Sequence, residues 1–243
     1  MQNNYIGDIG DYGKYGLLRT VCNVGLSLSV NWYKVSPTKM GKQDDGKFTN
    51  YLFKPYIYRD FDPPLFDSLH KIVCIEHNRQ IKRIERENLF PATFFSEDID
   101  TRNRKMWHNY ALLQTAGTNT VFLDPDNGLE TLTMYRSSKA TEKHVSWSEL
   151  QDYYNRGQNV ILYQHRPQMT KKQSCIDGIL FFQYNYLKAD CVKLLEFPKY
   201  TNRFYFMFIH KENEKQFESI CNFMTQKWGK DDFCREIPIR YGD

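Results

Sequence analysis

Residues 121–123, Val-Phe-Leu, form a continuous apolar run that stops at Asp124-Pro125-Asp126-Asn127-Gly128. No other stretch constrains the fold as much. A run that is apolar at every position and cut off by breakers predicts a strand buried on both faces, the kind found in helix-covered parallel sheets. In open α/β sheets, ligands bind just outside the carboxyl ends of the strands. Asp124, Asp126 and Asn127 would stand at such a lip and are candidate catalytic residues. The competing explanation is a plain turn, since Asp, Pro, Asn and Gly are common turn residues. An ordinary turn, however, does not need two acids directly after a buried strand.

The rest of the chain alternates between strand-like and helix-like segments. Further strands are expected at Leu28–Val35, Thr93–Phe95 and Val160–Tyr163. Helical spacing runs over Leu65–Leu89, through Leu65, Phe66, Leu69, Ile72, Val73, Ile81 and Ile84, and Pro91 closes it. Arg102–Leu113 predicts a helix with Met106, Trp107, Tyr110 and Leu113 on one stripe, and Trp147–Tyr154 a short helix begun by Ser146 or Ser148. Between them, Leu132–Lys143 reads as a basic connection. A helix over about Thr170–Leu187 follows. A last one, Glu212–Trp228, turns Phe217, Ile220, Cys221 and Met224 inward. Cys191–Phe197 and Phe204–Ile209 are joined across Pro198–Asn202, too short for a crossover helix, so this pair is expected to be antiparallel. The alternation predicts a three-layer α/β sandwich with a mostly parallel sheet and an antiparallel strand near the C-terminus. With no internal repeat and no Pro- or Ser-rich linker, residues 1–243 read as a single domain.

The opening stretch Tyr5–Arg19 is unusual. Gly7, Gly10, Gly13 and Gly16 recur at every third residue, interleaved with Asp8, Asp11, Lys14 and Arg19. No strand precedes them, so this is not a dinucleotide fingerprint. Asp11 is expected to cap a helix reaching about Val24, giving an N-terminal helical segment over about residues 1–25 that packs at the site. The glycines would let backbone approach a ligand closely, with Lys14 and Arg19 meeting an anion. The plain alternative is a helix with solvated charges. Ser36–Asn50 reads as a long polar loop, from which Asp44, Asp45 and Lys47 could reach a site. Ser96-Glu97-Asp98 and Gln164-His165-Arg166-Pro167 are further strand ends carrying polar groups.

Composition narrows the partner more than the chemistry. A net charge of +4 is compatible with a polyanion, and an aromatic fraction of 16% provides rings that can stack on bases, although most rings fill cores. The six cysteines are scattered, with no Cys-x-x-Cys pair, which argues against a structural zinc site and offers no disulfide framework. Residues 1–11 are polar and lack the apolar core of a signal peptide. No run approaches the ~20 apolar residues of a membrane span. The expectation is a soluble cytoplasmic protein without a membrane partner.

Residues 7–19 (GDIGDYGKYGLLR), 44–52 (DDGKFTNYL), 122–130 (FLDPDNGLE) and 161–167 (ILYQHRP) together resemble a family of bacterial proteins of uncharacterised activity. The order of elements, closing in a hairpin, resembles the class I S-adenosylmethionine-dependent methyltransferase (Rossmann-like) fold. A more distant resemblance is to the ribosomal RNA large-subunit adenine-N6 methyltransferases of the J type. There, an N-terminal Asp-x-x-Lys-His segment and an Asp-Pro-Pro-Tyr strand end are matched here by Asp11-Tyr12-Gly13-Lys14-Tyr15 and Asp124-Pro125-Asp126-Asn127. The resemblance implies that Asp124 accepts a hydrogen bond from the target amine. It also implies that Lys14 and Tyr15 lie beside cofactor or substrate, with Glu97 or Asp98 near the cofactor. Trp32 and its neighbours stand where that fold usually has a glycine-rich turn against S-adenosylmethionine. Asp126 replaces a proline, and Asn127 an aromatic residue that stacks the base.

Three functions follow as expectations. The first is a nucleic-acid-directed enzyme with a methyltransferase-like fold, using S-adenosylmethionine. Asp124 would orient the amine, while Lys14, Arg19 and Arg166 hold phosphates and Asp11 and Lys47 contact substrate. The second is a metal-dependent phosphodiesterase or nuclease, in which Asp124, Asp126 and Asn127, helped by Glu97, Asp98 or Asp45, bind Mg²⁺ or Mn²⁺. His165 would then shuttle a proton, with Lys14 and Arg166 stabilising developing charge. The third is a non-catalytic nucleic-acid-binding module. All three require Lys14, Asp124, Asp126, His165 and Arg166 to converge on one cleft.

Overall fold

A computed structural model describes residues 3–35, 46–138, 141–167, 169–200 and 202–239. The apolar run after residue 119 becomes β3 (Thr120–Leu123), and all four of its residues are buried. It is an inner strand, parallel to β1 (Leu28–Asn31) on one side and to β6 (Asn159–His165) on the other. Beyond β1 lies β2 (Ala92–Phe95), also parallel. Beyond β6 the direction reverses: β8 (Arg203–Ile209) is antiparallel to β6, and β7 (Cys191–Phe197) is antiparallel to β8. A short edge strand, β9 (Arg235–Glu236), completes the order β2-β1-β3-β6-β8-β7-β9. A separate pair, β4 (Gly128–Leu129) and β5 (His144–Val145), runs parallel just after the end of β3.

The period-2 alternation of each strand separates two cores. Val30, Phe122, Ile161 and Met207 face α1 (Ile9–Asn23), α3 (Pro63–His70), α4 (Ile81–Glu87) and α9 (Glu214–Lys227). Val121, Leu123, Val160 and Phe206 face α5 (Arg104–Gln114), α7 (Trp147–Asn155) and α8 (Lys172–Phe182). The result is the expected α/β sandwich of three layers with a mostly parallel sheet: β7 runs with the four parallel strands, and the hairpin lies near the C-terminus. Two short helices, α2 (Pro55–Tyr58) and α6 (Leu132–Ser137), lie in connections. No helix among the described residues is long and apolar enough to cross a membrane.

Several local expectations need correction. The helical period over 65–89 spans two helices, because the chain leaves α3 through a wider turn at Lys71–Ile75 and His77 takes a left-handed backbone (φ 50°). Both helices bury their apolar faces in the same core, so the spacing carried across the gap. On α5 the buried face is Trp107, His108 and Ala111, whereas Met106 and Leu113 are 62% and 74% exposed. The stripe is turned by one position because His108 is held inward by Asp152 (3.0 Å) and meets the edge of the Tyr153 ring. Part of the supposed basic connection is helical (α6), and β1 ends at Asn31 rather than Val35. For α7 the start is Ser146, whose side chain and Glu149 form a reciprocal capping box.

Candidate functional site

The N-cap of α1 is Asp8, not Asp11: its carboxylate accepts from the Asp11 amide at 2.9 Å. This frees Asp11, one turn in, to face the sheet. Its Oδ2 accepts from the Tyr15 hydroxyl (2.9 Å) and the Gly7 amide (3.1 Å), while Oδ1 pairs with Lys14 Nζ at 2.7 Å. Lys14 Nζ also lies 2.8 Å from Asp124 Oδ2, at the carboxyl end of β3. The ammonium sits 5.4 Å from the centre of the Tyr15 ring and 5.6 Å from that of Trp32. A buried acid–lysine–acid chain thus joins the N-terminal helix to the end of the central strand. The three side chains are only 4–5% exposed.

The glycine period works differently from the expectation. Gly10, Gly13 and Gly16 leave no room for a Cβ against Arg203, Phe197 and Trp228. They let α1 settle onto β7, β8 and α9 rather than onto a ligand. That close approach is what brings Lys14 within reach of Asp124.

The turn after β3 is also built for position. Gly128 has φ +118°, and a Cβ there would collide with the Gln164 side chain. Gln164 accepts from the Leu129 amide (2.9 Å) and donates to the Asn127 carbonyl (3.1 Å), and the His165 amide donates to that same carbonyl (3.0 Å). The turn is therefore fastened to the end of β6. Asp126 and Asn127 are held beside His165, and the Asn127 amide donates to the Lys143 carbonyl (2.9 Å). The segment is a turn, and that turn holds Asp124, Asp126 and Asn127 at the wall of the cavity described next.

These elements enclose a cavity of about 480 Å³, within the usual range for small-ligand sites. Of the residues picked from sequence, Asp11, Lys14, Lys47, Asp124, Asp126, Asn127 and His165 line it. Tyr15 stands one layer behind, fully buried against Asp11. Trp32 does not line the cavity: it is fully buried, stacked on Phe94, and donates to Glu85 (2.8 Å). Glu97 and Asp98 lie away from it at the end of β2, where Asp98 pairs with Lys34 (2.8 Å). Arg19 is turned the other way, to Asp62 (2.7 Å) and the Leu89 carbonyl. Arg166 follows His165 but is not part of the lining. Asp44 and Asp45 lie outside the described residues.

Sequence reasoning missed Asp8, Tyr163, Arg203 and Tyr205 in the wall, and Lys143, Phe48 and Tyr200 nearer the opening. Arg203 opens β8, pairs with Asp8 at 3.3 Å and gave no local signal, because its partner is 195 residues away. Asp8 was visible within the Gly/Asp alternation, but its capping role was assigned to Asp11.

Burial dominates the site electrostatics. It pushes the Asp124 carboxyl up from its ordinary value, against the pull of Lys14. Burial likewise raises Asp8, opposed by Arg203. For Lys14, burial alone would lower the ammonium, but Asp11 and Asp124 outweigh it and hold it protonated. The Tyr163 phenol is pushed up to about 12 by burial. His165 is lowered, by burial first and then by Arg203 and Arg166, so its imidazole is neutral at pH 7.

The arrangement suits hydrogen-bonding recognition better than metal binding. A divalent ion would need the Asp124 oxygens, yet the Lys14 ammonium, which bridges Asp124 Oδ2 to Asp11 Oδ1, would repel a second cation there. Compared with known proteins, the chain matches no protein-family model and no curated protein.

Proposed function

We propose that the protein is a nucleic-acid-directed enzyme built on a methyltransferase-like fold, and that its cavity receives one nucleotide unit. The observation that carries this reading is the Lys14–Asp124 contact at 2.8 Å, which joins the Asp-x-x-Lys segment to the Asp-Pro strand end at the lip of the sheet. Two further facts support it. The strand order, with four parallel strands followed by a reversed strand inserted before β7, is compatible with a Rossmann-like, methyltransferase-like arrangement. The lining also combines tyrosine rings, which can stack on a base, with Lys47 and Lys143, which can meet phosphate. Asp124, oriented by Lys14, would accept a hydrogen bond from an exocyclic amine of the base. Neutral His165 would serve as a second acceptor or proton carrier.

S-adenosylmethionine, which such a fold implies, fits poorly at the described ends of β1 and β2. Trp32 and Tyr33 are fully buried there, and the Tyr33 hydroxyl is engaged with Glu149 (3.2 Å). That misfit favours a second reading, a binding module that kept the sheet and the nucleotide cavity without the methyl donor.

Calorimetry with adenosine monophosphate and with S-adenosylmethionine, each on the wild type and on Asp124→Asn, tests both readings. The enzyme reading expects heat from both ligands, with the adenylate signal weakened in the variant. Adenylate binding without any S-adenosylmethionine binding at roughly millimolar concentration, a weak-affinity bound, leaves only the binding module. No adenylate binding removes both.

A further inference from the structure

Tyr200 stands at the opening of the cavity, in the turn between β7 and β8, and its backbone is left-handed at φ +65°. That conformation is a genuine outlier for a bulky aromatic residue, and such outliers persist only where the surroundings hold them. The strain does not serve burial, because Tyr200 remains 54% exposed. It sets the ring's position. Phe48 supports it from one side, with ring centroids 5.0 Å apart and planes inclined by 31°. Lys47, exposed and next to Phe48 in sequence, brings a cation to the same rim.

An aromatic ring that is rigidly held, more than half open to solvent, and flanked by lysine at the mouth of a polar cavity has the features of a base-stacking platform. We propose that Tyr200, backed by Phe48, stacks the nucleobase adjacent to the one in the cavity, so that the protein takes single-stranded nucleic acid rather than free nucleotides. This rests on the nucleotide-cavity reading above. Stacking is tolerant of base identity, since every base has a π-face. The platform therefore confers preference for a strand over a monomer, while the cavity governs which base enters. Duplex is disfavoured, because its stacked bases present no free face to Tyr200.

The test is fluorescence anisotropy with a short labelled oligoadenylate RNA, alongside calorimetry with adenosine monophosphate, on wild type, Tyr200→Gly and Tyr200→Phe. Glycine suits the left-handed backbone, so that variant loses the ring without added strain. The expected result is that wild type binds the oligomer more tightly than the monomer. Tyr200→Gly should weaken oligomer binding on the order of tenfold or more, by a clearly larger factor than it weakens monomer binding, and be largely rescued in Tyr200→Phe. Equal oligomer affinity in wild type and Tyr200→Gly overturns the platform while leaving the cavity reading intact, as does a wild type that binds monomer and oligomer alike. A wild type that binds neither ligand removes the cavity reading, and the platform with it.

Discussion

Lys14→Met tests the centre of the site most directly. Methionine keeps much of the side-chain volume and deletes the ammonium between Asp11 and Asp124. With these side chains only 4–5% exposed, water cannot replace it. Removing one partner of a buried ion pair costs about 3–5 kcal/mol. The two lost contacts do not simply add, because Asp11 keeps its bonds from Tyr15 and Gly7. For a chain of this size the cost corresponds to a Tm lower by about 6–20 °C, at roughly 2–4 °C per kcal/mol. Urea unfolding followed by tryptophan fluorescence is a suitable assay, since Trp32 and Trp228 are buried on the α1 side of the sheet.

The pH dependence has a definite sign. Burial already raises Asp124, and deleting Lys14 removes the attraction that held it down. A carboxyl whose folded pKa exceeds its unfolded one binds its proton more tightly when folded. Stability therefore rises as pH falls through that window and is lost as pH rises through the folded value. The Lys14 ammonium, whose pKa is also raised, has the same sign in an alkaline window: its contribution is present below the ordinary lysine value and is lost as pH rises through the folded one. The deficit of Lys14→Met should thus be largest at neutral pH and shrink toward the ordinary carboxyl range. Adding Asp124→Asn should recover part of it. A deficit below about 1 kcal/mol, the size of a surface pair, that is also flat with pH would refute the reasoning.

Gly16→Ala should lower stability although alanine is the better helix former. Its methyl would meet the buried Trp228 ring, and an overpacking cost of about 1–3 kcal/mol exceeds a propensity gain of about 1 kcal/mol; an unchanged urea midpoint would contradict the close-approach account. For His165, NMR titration should give a midpoint below the ordinary 6.5, because burial, Arg203 and Arg166 all disfavour the imidazolium. A group lowered in this way costs stability as pH falls below its unfolded value, and a midpoint at or above 6.5 would show that the ring is not enclosed.

Much of this architecture was legible in the order of residues. Val121–Leu123 is apolar throughout because it is sandwiched on both faces, and a breaker pair after it marks where the strand meets solvent. The antiparallel end of the sheet followed from a connection too short to cross over. That Lys14 and Asp124 would share one cleft was expected from residue chemistry at strand and helix ends; that the ammonium would pair with the carboxylate itself was not. What a linear pattern could not carry was direction. Helical spacing identified an apolar face on α5 but not which neighbouring positions turn inward, because His108 and Asp152 set that across 44 residues. Strand ends, the opening segment and resemblance marked Trp32, Glu97, Asp98, Arg19 and Arg166, yet none of them lines the cavity, and Trp32, Asp98 and Arg19 instead meet Glu85, Lys34 and Asp62. Arg203, Tyr163 and Tyr205 entered its wall only because the reversed strand β8 lies against β6. Sequence alone determined which segments are buried and that the central strand stops at Leu123, since burial leaves a local hydrophobic signature. Which charges share a cavity depends on contacts between distant segments, and only the packed sheet decided that.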